Sequence, residues 1–284
     1  MFSERRLNKA GWLLVGMFFW GLAAISGCGQ KESTIDNGAV LRGTLTVAGS
    51  TSVQPFSEVL AEEFMAANPG VKINVQGGGS SVGIESAVSG AAGIGAVSRT
   101  VTAAEMAQGL TWRVIALDGI ALVVNPANPI SNLKTEDVVN IYLGNINNWK
   151  ELGGIDAPIT VVTREEGSGT REAFASLVMN KKDIIKSAIV QNSTGAIVAT
   201  VAGDKNGVGY VSLSSIRPEV KALSIDGIPA TEINVRTRDY KLQRPFIFVT
   251  KGEPTGLAKA FIDYVLSPEG QKLIVEEGAI SASR

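Results

Sequence analysis

Three stretches of this chain share one plan, in which a short β-branched run stops at a turn of glycine, serine and threonine that opens directly into a segment with helical spacing. The first runs from Thr44–Ala48 through Gly49-Ser50-Thr51-Ser52 into 53–68, where Phe56, Val59, Leu60, Phe64 and Ala67 fall on one helical face. The second runs from Val71–Gln76 through Gly77-Gly78-Gly79-Ser80-Ser81 into a short helix over 82–89. The third runs from Pro158–Val162 through Thr163-Arg164-Glu165-Glu166-Gly167-Ser168-Gly169-Thr170 into 171–179, with Ala173, Phe174, Leu177 and Val178 on the apolar face. Strands alternating with helices in this way predict an α/β architecture.

The turns also carry chemistry. Glycines let backbone N–H groups approach a ligand closely, and a helix N-terminus is a ready site for an anion. Ser168 and Thr170 can cap the third helix or donate hydroxyl hydrogen bonds, and Arg164 adds a permanently charged fork of donors. Taken alone, the third stretch reads equally as a capped turn beside a solvated arginine. Its recurrence in two sequence-distant halves is what suits a cleft between two lobes, with helix ends converging on one small ligand.

Composition narrows the chemistry. None of the 284 residues is a histidine and only Cys28 is a cysteine, so no Ser-His-Asp or Cys-His pair and no His- or Cys-rich zinc site can be built. Gly79-Ser80-Ser81-Val82-Gly83 matches a nucleophile elbow and sits between strand and helix, but it has no base to activate it. The same loop departs from G-x-G-x-x-G at Val82, and the loop at Gly167 lacks the lysine of a P-loop, which disfavours nucleotides. The formal net charge is −1; Arg5, Arg6 and Lys9 against Glu4 give the first 27 residues +2, leaving −3 for the rest. A mildly acidic body argues against nucleic acid, and leaves any anion to be held by local donors.

The N-terminus reads as an address. A basic start is followed by an apolar run over 10–24 that, at about 15 residues, falls short of the roughly 20 needed to span a bilayer and fits a signal peptide. It ends in Ile25-Ser26-Gly27-Cys28, which resembles a bacterial lipobox with Cys28 as the lipid-modified first residue. The expected organisation is a signal peptide over 1–27, a tether over 28–42, a first lobe from 43–122 and 246–284, and a second lobe over 123–245.

Between the recurring stretches, 92–98 is expected as a strand and 102–108 as a helix capped by Thr102 with Glu105. Arg99 reads equally as a ligand donor or as a charge at a strand end. Trp112–Leu117 and Ile120–Asn125 are expected as two buried strands, 135–143 as a helix, and Trp149 as a core anchor in a turn-rich loop. A helix near 194–202, strands at 207–211 and 246–250, and closing helices over 257–275 complete the pattern.

With the turns at Gly49, Gly77 and Arg164 seen in that order, the chain resembles the phosphate-binding proteins of ABC phosphate importers, within the periplasmic-binding-protein family. The similarity runs from Gly43 to the C-terminus and includes Ile141-Tyr142-Leu143-Gly144 and Trp149. It implies two α/β lobes of the type II fold, joined by two crossing strands near 120–125 and 246–250 and closing on the anion. Carried over by position, Thr51, Ser52 and Ser80 donate from one lobe, and Arg164, Ser168, Gly169 and Thr170 from the other. Where well-studied members place an Asp that accepts the proton of hydrogen phosphate, this chain has Ser98. A hydroxyl can accept as well as donate, so phosphate binding survives, while rejection of sulfate falls to another group, with Glu165 and Glu166 as candidates.

The function implied is a non-enzymatic, lipid-anchored receptor, held in the periplasm or at the outer face of the cell membrane. It would act as a monomer without cofactor or metal, capturing inorganic phosphate and handing it to the membrane subunits of an ABC permease. Its competitors are a receptor for sulfate, molybdate or tungstate, a sensor or adhesin uncoupled from transport, and a phosphatase, which the missing histidine and the absence of a clustered Asp motif tell against.

Overall fold

The computed structural model describes residues 41–282. The signal peptide, Cys28 and all but the last two residues of the tether lie outside the described residues. In chain order, β1 (Gly43–Gly49), α1 (Gln54–Ala67), β2 (Val71–Gly77), α2 (Ser80–Ser89), β3 (Ile94–Val97) and α3 (Ala103–Met106) lead to β4 (Leu110–Val124). Then follow β5 (Asn132–Leu133), α4 (Thr135–Leu143), β6 (Thr160–Arg164), α5 (Gly169–Leu177), β7 (Ile189–Gln191), α6 (Thr194–Gly203) and β8 (Gly207–Ser212). The chain closes with β9 (Lys221–Ala222), β10 (Ser224–Ile225), α7 (Glu232–Arg236), β11 (Gln243–Lys251), α8 (Gly256–Leu266), α9 (Pro268–Glu276) and β12 (Ile280–Ser281). No helix among the described residues is long and apolar enough to cross a membrane.

The three strand-turn-helix units form as their sequences predict, and Pro55 falls in the first turn of α1, where its missing N–H costs nothing. Thr102 and Glu105 make the expected reciprocal cap on α3. The expected pair of strands after residue 111 is instead one strand of 15 residues, and Trp112, expected to be buried, is 43% exposed. The chain runs through Asp118 and Gly119 without a break because both pair with β11, Asp118 opposite Arg244 and Gly119 opposite Gln243. Gly119, moreover, lies so close to Val235 that a Cβ there would stand 2.8 Å from its side chain.

This strand organises the fold. The sheet order is β2-β1-β3-β11-β4-β8-β6-β7. Residues Leu110–Gly119 of β4 pair antiparallel with β11, and Ile120–Val124 pair antiparallel with β8. One strand therefore belongs to two sheets, each with its own core. On one side Phe56, Phe64, Phe246 and Phe261 pack edge-on, with Phe56–Phe246 and Phe64–Phe261 centroids 5.5 and 5.4 Å apart. On the other, Trp149 is fully buried as expected, and Phe174 of α5 stacks at 4.2 Å on Tyr210 of β8 and meets Tyr142 of α4 at 4.7 Å. That aromatic trio fixes α5, and with it the turn that precedes α5, against the second sheet. The result is two α/β lobes, each with its own core.

Candidate anion-binding site

The N-termini of α1, α2, α5 and α6 meet where the two lobes touch. Each is delivered by the strand before it. Gly49 ends β1 at φ +138°, and a Cβ there would stand 2.2 Å from the Ala96 carbonyl, so only glycine allows this turn. Ser168 caps α5, its Oγ accepting from the Arg171 N–H at 3.3 Å, and Ser193 caps α6 by accepting from the Ala196 N–H at 3.1 Å.

The residues expected from the sequence gather here. Ser52 Oγ lies 3.1 Å from Thr170 Oγ1, across the two lobes, and 2.9 Å from Thr194 Oγ1. Thr51 Oγ1 accepts from the Thr194 N–H at 3.2 Å. Ser80 Oγ accepts from the Ser98 N–H at 3.0 Å and lies 3.3 Å from Ser98 Oγ, which also accepts from Ser50 Oγ at 2.8 Å. Gly169 faces this serine pair so closely that a Cβ would stand 2.1 Å from Ser80 Oγ. The Ser81 N–H donates to the Gly167 carbonyl at 3.0 Å, a further bond between lobes. Ser52, Ser80, Ser98, Ser168 and Thr170 are all buried, so this polarity is held away from water and each group needs a partner.

Three arginines border the cluster. Arg164, at the end of β6, is buried; its Nε and Nη2 donate to Glu165 at 2.8 Å each, and Nη1 reaches Thr194 Oγ1 at 3.4 Å. Arg99 donates to both Glu105 oxygens at 2.8 and 2.9 Å, and its Nε lies 2.7 Å from Glu172 Oε2 on α5. Arg99 therefore ties the lobes together through carboxylates. Glu166 pairs with Arg171 and projects into solvent, whereas Glu165 stays beside Arg164.

The third arginine, Arg244 of β11, is one the sequence reading missed, together with its partner Asp118, the α6 residue Thr194 and Ser50. Asp118 Oδ2 accepts from Arg244 Nε at 3.0 Å and lies 3.0 Å from its Nη2, and Oδ1 accepts from Ser212 Oγ at 2.7 Å. Burial pushes the Asp118 carboxyl up and the Arg244 guanidinium down, while their mutual attraction and hydrogen bonds oppose both. Signals for these residues were present. Asn192-Ser193-Thr194-Gly195 is a fourth Ser/Thr/Gly turn after a β-branched pair, and Asp118 and Arg244 are opposite charges inside two largely apolar strands.

The arrangement can surround a small anion with backbone N–H groups and hydroxyls from both lobes and with Arg164. The PBP superfamily domain matches residues 34–269 of the chain. The phosphate-binding protein PstS of Bacillus subtilis is 35% identical over 274 residues, covering 93% of this chain and 90% of that protein. A Clostridium perfringens ABC transporter substrate-binding protein, solved with bound phosphate, superposes with a TM-score of 0.82 at 41% identity, covering 85% of this chain and all of that one. An ABC-type phosphate transport receptor of Vibrio cholerae gives 0.71 at 39% identity, with 83% and 99% covered. The chain belongs to the PBP superfamily and, within it, to the PstS-like phosphate-binding proteins.

Proposed function

We propose that the chain is an extracytoplasmic solute-binding protein that captures inorganic phosphate between its lobes and delivers it to an ABC import permease, without catalysing a reaction. The observation that carries this reading is the meeting of Ser52, Thr170 and Thr194 across the lobes beside Arg164. Thr51, Ser52, Ser80 and Ser98 would act from the first lobe, and Arg164, Ser168, Gly169 and Thr170 from the second. Of the crossings expected near 120–125 and 246–250, the second moves, because Phe246–Thr250 pair within the first sheet. The lobes would exchange at Gly119–Ile120 and at Leu242–Gln243, so that closing swings one set of donors onto the other.

The energetics support it. Hydrogen bonds to a charged group are worth about 1.5–3 kcal/mol each, and micromolar binding needs about 8 kcal/mol. Four or five donors per lobe exceed this even after ordering costs. Cys28 is proposed as a lipid attachment point; acyl chains contribute about 0.8 kcal/mol per buried CH₂ and would keep the receptor at a membrane surface.

A broader oxyanion receptor is the second reading, favoured by Ser98, which places a hydroxyl where the family resemblance calls for a carboxylate. Glu165, held by Arg164 and facing the Gly79 turn, is the carboxylate closest to the role of proton acceptor. The test is calorimetric titration of the body from residue 29 onward, stripped of bound anion, with phosphate and then sulfate at pH 5.5 and 8. Tight phosphate binding with sulfate ignored supports the phosphate receptor. Comparable sulfate binding refutes phosphate selectivity, and binding of neither refutes both readings.

A further inference from the structure

Arg244 is the most connected side chain in the cluster, and it stands outside the set of donors that the phosphate reading uses. A guanidinium has five N–H groups. Nε donates to Asp118 Oδ2, Nη2 lies 3.0 Å from the same oxygen and donates to Ser52 Oγ at 3.2 Å, and Nη1 donates to the Ser98 carbonyl at 3.1 Å and to Thr170 Oγ1 at 2.7 Å. Four of the five hydrogens are therefore in hydrogen bonds within the protein, and the remaining Nη2 group sits against the Asp118 carboxylate rather than an open site.

The effect lies in what the fork does to the two hydroxyls. A hydroxyl has one hydrogen and two lone pairs, so an oxygen that already receives an N–H turns its own hydrogen elsewhere. Ser52 comes from the turn before α1 and Thr170 from the start of α5, so one guanidinium reaches a hydroxyl of each lobe. Both are buried and lie 3.1 Å from each other. Chains of hydrogen bonds polarise along their length, and here the direction runs outward from the cation. Asp118 cancels the charge of Arg244, so the guanidinium supplies orientation with little net attraction.

We propose that Arg244, clamped by Asp118 where β4 changes sheets, is a positioning residue that fixes the Ser52 and Thr170 hydroxyls as donors toward the bound oxyanion. This rests on the phosphate reading and deepens it. Without the fork, either hydroxyl can rotate to present a lone pair to the ligand, and the two can satisfy each other instead of the anion.

The experiment compares phosphate titrations and thermal melts of the wild-type body, Arg244→Lys and the double variant Asp118→Asn/Arg244→Gln. Lysine keeps a cation beside Asp118, but three hydrogens on one shorter-reaching nitrogen cannot serve Asp118, the Ser98 carbonyl, Ser52 and Thr170 together as the planar fork does. The double variant removes both charges and leaves no buried charge unpaired. The expected result is a melting temperature for Arg244→Lys close to wild type with phosphate affinity weakened at least tenfold, and equally weak binding by the double variant. A purely structural role predicts that affinity returns with stability, so either variant binding phosphate with the wild-type Kd overturns the proposal. A wild-type protein that ignores phosphate refutes the preceding reading instead.

Discussion

Gly169→Ala separates closure of the lobes from the stability of each. Gly169 is the first residue of α5, and its backbone lies outside the positive-φ region, so alanine fits the helix there. Alanine outranks glycine in a helix interior by about 1 kcal/mol, less at an end, so the open protein keeps or slightly gains stability. In the closed arrangement, however, the new Cβ would stand 2.1 Å from Ser80 Oγ, 2.7 Å from Ser98 Oγ and 2.9 Å from Ser80 Cβ. Rotating the Ser80 hydroxyl relieves the first contact but not the last. The lobes must therefore part by something like 0.5–1 Å to reach carbon–carbon contact of about 3.5 Å, which takes the 3.1 Å Ser52–Thr170 contact out of hydrogen-bond range. Losing two donors to the anion at about 1.5–3 kcal/mol each removes about 3–6 kcal/mol, a weakening of roughly a hundredfold to ten-thousandfold. Calorimetric titration with phosphate, paired with a ligand-free thermal melt, reads both effects. A variant that melts like wild type and binds phosphate within threefold of it would refute the cross-lobe geometry.

Other substitutions test separate parts of the molecule. Arg164→Ala removes the buried cation at the end of β6 and should weaken phosphate binding more than tenfold; near-normal affinity by titration would sink its assignment as a ligand donor. Ser98→Asp should raise the preference for phosphate over sulfate in a competition titration, and an unchanged ratio would count against the positional match. Trp149→Ala empties a fully buried site and should cost about 3–5 kcal/mol in denaturant unfolding while leaving the folded fraction's affinity intact. Burial raises the Glu105 carboxyl, but hydrogen bonds from Arg99 and Thr102 outweigh it and hold the group below the ordinary glutamate range. Its contribution to stability is then present above that range and lost as pH falls through the lowered value, so Glu105→Gln should flatten the acid limb of a stability–pH curve.

What was legible in the sequence was local chemistry. Thr102 with Glu105, Ser168 before α5 and Pro55 in α1 act within one turn of their own helix, so their residue types are enough to place them. Arg244 and Asp118 act on partners far along the chain, and a charge inside a β-run carries no mark of which strand will lie beside it. The split expected between Leu117 and Ile120 has the same origin. Asp118-Gly119 has the composition of a turn, and only the partner strand β11, with the packing of Val235 against Gly119, makes it strand interior. The Ser/Thr/Gly turns could be read as donors, but which hydroxyls face each other across the lobes depends on closure, which no single segment encodes.

The place of β11 bears on how the protein comes to be folded at all. Phe248 of β11 aligns with Ala96 of β3 on one side and Arg113 of β4 on the other, so the first sheet is built around a central slot filled by a strand more than a hundred residues downstream. Until that strand is available, β3 and β4 present open edges, and the loop that must close is the length of the whole second lobe. High contact order slows folding. Refolding of this sheet is expected to lag behind that of the second lobe, and a chain lacking residues beyond 242 should hold the aromatic core around Trp149 while leaving the first lobe unfinished. Pulse-labelling hydrogen exchange on the amides of β1 and β3 would time the insertion, with protection arriving only when β11 does.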